Sequence, residues 1–318
     1  MADETKNRQI EISDRRGSLP YSKGLMASRV MVTGLPPWRA YQVAEAVEER
    51  LMENGSASVS TEEVDRIALD AIERIAGARY AKNFQHWHEA QALDVPIVVL
   101  IGGATGVGKS TIATQLATRL GIVRVVATDA IREVMRALFS TELMPALYAS
   151  SFDAGKVLRE PPSRDAAIVG FREQTNAVAV GIHALLQRAA NEGTSIIIEG
   201  AHVVPGFLDL ERWQDRILAV PVIVTIDDED VHREHFRARF AEHRGRPATR
   251  YLDGFDEIRR IHRYLKRQAL AHGVPIVTNY TFDRTLTQVI DLVLERATER
   301  AGTAVAADNG SDGRGGTS

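Results

Sequence analysis

Residues 97–111 read IVVLIGGATGVGKST, and this segment constrains the fold more than any other part of the chain. The apolar run Ile97 to Ile101 predicts a buried strand, and the GxxxxGKS pattern that follows predicts a phosphate-binding loop. After the loop, TIATQLATRL has apolar residues at helical spacing and ends at Gly121. A strand, such a loop and a helix in this order predict a nucleotide triphosphate site, because glycines let successive backbone N–H groups surround an anion.

The loop also predicts how the nucleotide is held. Its lysine reaches the outer phosphates and its serine hydroxyl is available to Mg²⁺, so ATP and Mg²⁺ are the expected cofactors. Lys109 is therefore a candidate catalytic residue, and Ser110 is a candidate metal ligand. The predicted nucleotide-binding residues of the loop are Gly103, Ala104, Thr105, Gly106, Val107, Gly108, Lys109, Ser110 and Thr111.

Composition excludes several kinds of site and partner. The 318 residues, 44% of them hydrophobic, suffice for a sizeable core and more than one domain. Without cysteine there is no disulfide, cysteine zinc site or thiol nucleophile. A net charge of -3 disfavours a nucleic-acid partner. The polar first residues and the lack of a long apolar run predict a soluble cytoplasmic protein without a membrane partner, and leave assembly into a homo-oligomer open.

From residue 94 onward, β-branched apolar segments alternate with helical segments. This alternation predicts an α/β fold of the P-loop NTPase type, a parallel sheet with helices on both faces, over residues 94–300. We predict strands at residues 97–101, 123–127, 195–199, 219–226 and 275–278. Residues 140–193 are expected to be mostly helical, with interruptions at Pro145 and at Pro161 and Pro162, and to form an insertion on the substrate side. The glycine-rich, polar residues 301–318 predict a disordered tail.

Residues 1–93 differ from the rest of the chain in their sequence pattern and are predicted to form a small, mainly helical domain. The segment RQIEISDRRGSLPYSKG suggests a short hairpin that turns at residues 15–17. Helices are expected at residues 25–33, 37–54 and 61–79. Ser60 and Glu63 have the spacing of a capping box at the start of the third helix.

A carboxylate and a guanidinium follow the second predicted strand. In VVATDAIREVMR, Asp129 comes just past the strand and Arg132 lies three residues later, on the first turn of a helix. In phosphoryl transfer a carboxylate can accept or orient the proton of the attacking hydroxyl, and an arginine can hold an anionic group of the acceptor. Asp129 is therefore a candidate catalytic residue. The alternative is that it caps the helix, and the two roles are compatible.

The third predicted strand ends in SIIIEGAHVVPG, which places Glu199 at the same rim of the sheet. From this position an acidic side chain can reach Mg²⁺ or its water shell, so Glu199 is a candidate metal ligand. The sequence does not decide which of Asp129 and Glu199 is the base and which serves the metal. His202, three residues further on, could bind substrate or form a hydrogen bond within its loop.

An arginine-rich segment follows the fourth strand. Arg237 and Arg239 are candidate catalytic residues of a lid that closes over the triphosphate and neutralises the transferred group, and a solvated helix face is the alternative. Asn279 comes just past the fifth strand. It is a candidate contact to the nucleotide base, or else a turn asparagine.

Five segments together resemble the 2-phosphoglycerate kinases, which make 2,3-bisphosphoglycerate from 2-phosphoglycerate and ATP. They are GGATGVGKSTIA, TDAIREVMR, GFREQTNAVAVGI, IIIEGAHVVPG and RYLDGFDEIRRIHRYL. The likeness covers most of residues 95–280, and GFREQ and EGAHVVPG are its most particular parts. The TDAIR element also resembles the aspartate and arginine pair of polynucleotide and other small-molecule kinases of the phosphate-loop class. That resemblance implies that Asp129 activates the acceptor hydroxyl and that Arg132 holds the acceptor's phosphate or carboxylate. Arg136, Arg172 and His202 are the other candidate substrate ligands, since a doubly anionic acceptor requires several cations.

The N-terminal segment PYSKGLMASRVMVTGLPPWRAYQVAEAVEERL looks like the nucleotide-binding ATP-cone domain that precedes the kinase in this family. That resemblance places Arg15, Arg16 and Lys23 near a phosphate. A working nucleotide sensor and a degenerate cone kept for stability or dimer contacts are both compatible with the sequence.

Two other functions are weighed against a small-molecule kinase. A polynucleotide or nucleoside-type kinase with the same DxxR pattern would need a basic groove with stacking aromatics, whereas aromatic residues make up only 6% of the chain. A nonenzymatic, nucleotide-dependent regulator would not need the full set of Lys109, Asp129 and Glu199. The expected partners are therefore ATP and a small anionic substrate.

Overall fold

The computed structural model describes residues 10–14, 17–159, 165–242 and 248–311, so the predicted phosphate contacts Arg15 and Arg16 lie outside the described residues. The chain divides into two compact units, Met1–Leu93 with Ile290–Ser318, and Asp94–Val289. This division differs from the predicted boundaries, which assigned residues 94–300 to one domain. The reason lies in the last helix, where Asp291 accepts a 2.8 Å hydrogen bond from Asn83 and forms an ion pair with Arg79.

The described residues of the first unit form a small sheet, four complete helices and the second part of the last helix of the chain. Strands β1 (Glu11–Asp14) and β2 (Gly17–Pro20) form the predicted antiparallel hairpin, and β3 (Ser58–Ser60) adds parallel to β1. The helices are α1 (Lys23–Met31), α2 (Pro37–Glu53), α3 (Thr61–Ala76) and α4 (Ala78–Gln91). Lys23, a predicted phosphate contact, forms an ion pair with Glu48.

The start of α3 carries the expected cap, because Ser60 Oγ accepts a 3.2 Å hydrogen bond from the Glu63 N–H. Its end differs from the prediction. Gly77, with φ +104°, breaks the helix that was expected to continue to residue 79, and α4 begins in the next residue. The three-residue strand β3 was not predicted, since so short a segment has no measurable alternation of apolar and polar residues.

The second unit is built on a five-stranded parallel sheet with the order β5-β6-β4-β7-β8. Its strands are β4 (Ile97–Gly102), β5 (Val125–Ala127), β6 (Ile196–Gly200), β7 (Leu218–Thr225) and β8 (Ile276–Thr278). Each lies within two residues of a predicted strand. The parallel sheet and its flanking helices confirm the predicted α/β fold of the P-loop type.

α-Helices follow every strand of this sheet except β6, and those before β8 connect one strand to the next. They are α5 (Lys109–Leu120), α6 (Thr128–Leu138), α7 (Ala166–Glu192), α8 (Glu229–Glu242), α9 (Ala248–Asp253), α10 (Phe255–Ala271) and α11 (Phe282–Ser311). Helix α11 therefore includes residues that were predicted to be disordered. Among the described residues, no helix combines the length and the hydrophobicity needed to cross a bilayer.

The expectation of a mostly helical segment over residues 140–193 is only half right. Helix α7 accounts for its second half, but the described residues before it form two single 3-10 turns, Pro145–Tyr148 and Ala154–Val157. Pro145 has no N–H with which to continue a preceding helix. The result is an irregular segment that packs against the start of α7.

The carboxyl ends of all five strands meet at one edge of the sheet, because every neighbouring pair is parallel. Ligands of open α/β sheets bind at this edge. In this chain the edge carries the phosphate loop after β4, the start of α6 after β5 and Glu199 at the end of β6.

Candidate active site

The phosphate loop, residues 103–108, leaves β4 and enters α5 through glycines in left-handed conformations. Gly108 has φ +91°, and a Cβ atom on it would lie 2.6 Å from Asn279 Nδ2. Glycine is therefore required at this position both for its backbone angle and for the close approach of a neighbouring side chain.

Three side chains hold the carbonyl groups of the loop. Lys109 Nζ donates a 2.8 Å hydrogen bond to the Ala104 carbonyl, and Asn279 Nδ2 donates a 3.0 Å bond to that of Val107. The third carbonyl, that of Thr105, accepts a 2.9 Å bond from His232 Nε2. Within the described part of the chain, the N–H groups of residues 104–108 donate no hydrogen bond. A row of unused N–H groups beside a buried lysine is an anion-binding arrangement.

Ser110 and Glu199, the two candidate metal ligands, lie together in the structure. The register of the parallel strands sets Glu199 beside Ile101 of β4, at the entrance to the loop. The Ser110 hydroxyl donates a 2.8 Å hydrogen bond to Glu199 Oε1, and the Glu199 side chain is buried. A hydroxyl and a carboxylate are the hard oxygen donors that Mg²⁺ prefers, so this pair fits the ion that the loop implies.

Asp129 is an exposed carboxylate and not the cap of α6. The N-cap of α6 is Ala127, and no side chain caps this helix, so the capping alternative does not hold. The Asp129 side chain is 76% exposed, and its Oδ1 accepts a 3.3 Å hydrogen bond from Arg132 Nε. An exposed carboxylate beside a guanidinium, at the sheet edge that carries the phosphate loop, is accessible to an incoming hydroxyl.

Thr128 and Gly200 pack together beside the two candidate carboxylates, Asp129 and Glu199, which lie at the ends of adjacent strands. Gly200 follows Glu199, Thr128 precedes Asp129, and a Cβ atom on Gly200 would overlap the Thr128 hydroxyl. Gly200 also has φ +151°, within the range that favours glycine. Neither residue was singled out from the sequence, although EGAH and ATDA contain them beside the acidic residues.

Arg132 and Arg136 contact protein groups in place of an open acceptor site. Arg132 is only 13% exposed, and its Nη1 donates 3.0 Å hydrogen bonds to the carbonyls of Leu147 and Ala149. Arg136 Nη1 donates to both carboxylate oxygens of Glu133, each at 2.8 Å. Arg132 thus supports the irregular segment before α7, and the Arg136 guanidinium carbon lies 4.9 Å from the centre of the Tyr148 ring in the same segment. The two arginines do not match the substrate contacts predicted for them.

Arg172 differs from these two arginines because its side chain is exposed. Its guanidinium carbon lies 5.9 Å from the centre of the Phe207 ring, in the loop that follows Glu199 and His202. No hydrogen bond or ion pair of Arg172 occurs among the described residues. Of the three candidate substrate arginines, it is the one left available to an anionic acceptor.

His202 is buried within the protein, so it does not fit the predicted substrate contact. It is 1% exposed, its Nε2 lies 2.7 Å from Gln174 Oε1, and its Nδ1 lies 3.0 Å from the Thr128 hydroxyl. The Gln174 amide N–H groups face the carbonyls of Ala146 and Ala149, so its oxygen must accept from His202. Burial lowers the pKa of His202 to about 4, which keeps the ring neutral.

Asn279 supports the loop from the protein interior. Its side chain is buried, its Nδ2 donates to the Val107 carbonyl, and its Oδ1 accepts a 3.0 Å hydrogen bond from Thr285 Oγ1. With both ends of its amide bonded inside the protein, Asn279 is a positioning residue for the loop. This replaces the predicted contact to the nucleotide base.

The two candidate lid arginines lie on α8. Arg237 is exposed and forms no hydrogen bond or ion pair among the residues that the structure describes. The side chain of Arg239 lies outside the described residues. His232, also on α8, was not among the residues predicted for the site, because its bond to the loop depends on a tertiary contact that no local pattern signals.

Comparison with known proteins decides the family. A 2-phosphoglycerate kinase from Methanopyrus kandleri is 39% identical over 297 residues, which is 92% of this chain and 89% of that protein. The chain belongs to the 2-phosphoglycerate kinase family. A second member, from Methanothermobacter thermautotrophicus, is 38% identical over 285 residues, 89% of this chain and 92% of that protein. The resemblance identified from the sequence is thus confirmed.

Two further comparisons give broader matches. A family model described as an AAA domain matches residues 98–224, which include the phosphate loop, Asp129 and Glu199. A crystal structure of shikimate kinase from Bacteroides thetaiotaomicron is 16% identical and covers 62% of this chain and 98% of that one. Its TM-score of 0.36 is too low to support a conclusion about function.

Proposed function

We propose that this chain is an ATP-dependent kinase that phosphorylates the free hydroxyl of 2-phosphoglycerate and yields 2,3-bisphosphoglycerate. The observation that carries this proposal is the position of Asp129. Its exposed carboxylate is held by Arg132 at the sheet edge that also carries the unused N–H groups of residues 104–108. Membership of the 2-phosphoglycerate kinase family supports the choice of acceptor.

The nucleotide is held by the phosphate loop in this proposal. The N–H groups of residues 104–108 bind phosphate oxygens, and Lys109 exchanges the Ala104 carbonyl for an outer phosphate. Ser110 and Glu199 would hold Mg²⁺, which when bound neutralises charge on the phosphates.

Asp129 acts as the base for the acceptor. It accepts the proton of the 2-phosphoglycerate hydroxyl, whose oxygen attacks the γ-phosphorus of ATP, while the bond between that phosphorus and the bridging oxygen breaks and ADP leaves. Arg172 binds an anionic group of the acceptor, because its guanidinium is exposed and unpaired among the described residues. Arg237 on α8, with Arg239 two residues further on, stabilises the transferred group.

The remaining expectations accompany this function. An ATP-dependent enzyme acting on a phosphorylated acid would work in the cytoplasm, with ATP and the acid as its partners. The ATP-cone resemblance of residues 1–93 stays a prediction, with Lys23 paired to Glu48 in the described structure.

A single assay tests the function. ADP release is measured with Mg²⁺ and ATP over a panel of phosphorylated three-carbon and sugar acids, and the product of the best acceptor is identified by phosphorus NMR. We expect 2-phosphoglycerate to give the highest kcat/KM. Asp129→Asn should lower kcat by about 10²- to 10⁴-fold, the usual contribution of a general base, while ATP binding is retained. Turnover of 2-phosphoglycerate no faster than in buffer would refute the acceptor assignment, and an unchanged rate in Asp129→Asn would refute the base.

A further inference from the structure

One face of α8 is docked onto the phosphate loop through two side chains. His232 Nε2 donates a 2.9 Å hydrogen bond to the Thr105 carbonyl, and a Cβ atom on Gly106 would overlap the ring of Phe236. His232 and Phe236 are four residues apart, so they lie on the same side of the helix, with their rings stacked at 5.2 Å between centres. This helix is therefore attached to the loop at two consecutive residues.

The imidazole of His232 is held in one orientation and one protonation state. Arg259 Nη1 lies 3.4 Å from His232 Nδ1, and the same group donates a 2.7 Å hydrogen bond to the carbonyl of Ile226, one residue past β7. Burial lowers the pKa of His232 to about 4, and the nearby guanidinium acts in the same direction. With Arg259 facing Nδ1, the proton of the neutral ring is on Nε2, where it serves the loop carbonyl.

The docked face determines where the arginines of α8 lie. Arg233 and Arg237 each follow one of the docked residues directly, and so share the neighbouring stripe of the helix. The Arg233 guanidinium lies over the Phe255 ring, with 4.1 Å to its centre, and has Asp230 as an ion-pair partner. Arg237 is the one of the two that has no partner among the described residues.

Aromatic contacts also connect α8 to the segment before α7. Phe236 stacks on Tyr251 of α9 with 5.6 Å between ring centres, and Tyr251 lies 5.6 Å from Phe152. Gly254, just past α9, approaches the Phe152 ring so closely that a Cβ atom would overlap it. The position of α8 is thus constrained by the phosphate loop and by these aromatic residues. His232 contributes a hydrogen bond to the loop.

We propose that His232 is a positioning residue for phosphoryl transfer: its bond to the Thr105 carbonyl fixes α8 against the phosphate loop and so places Arg237 at the bound triphosphate. The proposal rests on the proposed function for the role of Arg237. It makes His232 act through Arg237 and not on the reacting atoms.

A double-mutant cycle tests this relation. His232→Leu removes the N–H donor, His232→Gln keeps one, and Arg237→Ala removes the cation. We expect His232→Leu to lower kcat about tenfold, the effect of losing one buried hydrogen bond, and His232→Gln to recover most of the loss. If His232 acts through Arg237, the double variant His232→Leu/Arg237→Ala should be no slower than Arg237→Ala alone. The KM for the acceptor should stay unchanged in all variants.

Two results would overturn the proposal: a wild-type kcat in His232→Leu, or defects that multiply in the double variant. The melting temperature and the Kd for ADP are measured for each variant. If His232→Leu does not fold, Phe236→Leu loosens the same contact and enters the same cycle with Arg237→Ala.

The acceptor assignment is tested separately, because the cycle can be run on whichever acceptor supports turnover. If the acceptor is a compound other than 2-phosphoglycerate, the kcat values measured with that compound still test the role of His232.

Discussion

The hydroxyl of Thr128 lies against the Cα atom of Gly200, in the space where any larger residue would place its Cβ atom. This contact joins the end of β6 to the start of α6, and each residue is the direct neighbour of a candidate active-site carboxylate. Close packing between two strand ends therefore determines how far apart Asp129 and Glu199 can lie.

Gly200→Ala should destabilise the protein and slow catalysis. The new Cβ atom would overlap Thr128, and the backbone at φ +151° is strained for alanine, so we expect a loss of about 1–3 kcal/mol in the free energy of unfolding. Gly193→Ala is the matched control. Gly193 has φ +60° but open space around its Cα atom, so only the backbone effect remains there. Equal losses in urea denaturation of the two variants would show that the contact with Thr128 is unimportant.

Glu199→Gln should weaken Mg²⁺ binding specifically. The amide keeps an acceptor for Ser110 but removes the charge that a hard cation requires, so the Mg²⁺ concentration for half-maximal rate should rise about 10- to 100-fold. The comparison is Glu192→Gln, a surface residue paired with Arg188 and Arg124 at the end of α7. An unchanged Mg²⁺ titration for Glu199→Gln would remove Glu199 from the metal site.

Arg172→Ala should raise the KM for the acceptor without changing the KM for ATP. A guanidinium that binds an anionic group contributes about 1.5–3 kcal/mol, which corresponds to a rise of about 10- to 100-fold. Arg188→Ala, on the same helix and with an exposed side chain paired to Glu192, is the control. A rise in the KM for ATP instead would place Arg172 on the nucleotide side.

Thr285→Val should weaken ATP binding although residue 285 lies one layer behind the phosphate loop. The substitution removes the hydroxyl that bonds Asn279 Oδ1, and Asn279 in turn holds the Val107 carbonyl. We expect a rise of about three- to tenfold in the Kd for ATP, with Thr285→Ser close to wild type. Isothermal titration with a non-hydrolysable ATP analogue measures it, and identical affinities for the two variants would contradict the link.

Acid should destabilise the protein through three buried histidines. Burial lowers the pKa values of His202, His232 and His262 to about 4, whereas an unfolded histidine titrates near about 6.5. Between these values the unfolded chain binds more protons than the folded one. The stability contributed by the neutral rings is therefore complete above about pH 6.5 and is lost as the pH falls toward about 4.

The slope of that loss is measurable. Each histidine contributes up to about 1.4 kcal/mol per pH unit to the decline in the free energy of unfolding. Urea denaturation from about pH 7 to about pH 5 should give a shallower decline for His202→Gln than for the wild type. Parallel declines would show that His202 is not buried in its neutral form.

The sequence predicts the parts of this site that depend on local pattern. The loop, the five strands and the positions of Asp129 and Glu199 follow from apolar runs that end in glycine or acidic residues. Because parallel strands share one edge, their order along the chain is enough to bring these residues to that edge. Ser110 and Glu199 are in contact because, in addition, β4 and β6 are neighbours in the sheet.

Side-chain partners could not be predicted in the same way. Arg132 and His202 look like ligands in the sequence, but only the fold brings Arg132 to the carbonyls of Leu147 and Ala149, and His202 to the side-chain amide of Gln174 on α7. Asn279 and His232 are distant in sequence from the loop whose carbonyls they bond. Their role depends on tertiary packing, for which spacing within one helix or strand carries no signal.

The bonds to the carbonyls of Thr105 and Val107 come from two different parts of the fold, α8 and the residue that follows β8. The loop is consequently preorganised, and an entering triphosphate does not have to supply the free energy for reshaping it. Evolution can therefore tune nucleotide affinity from residues that never contact the nucleotide, by loosening or tightening the frame behind the loop.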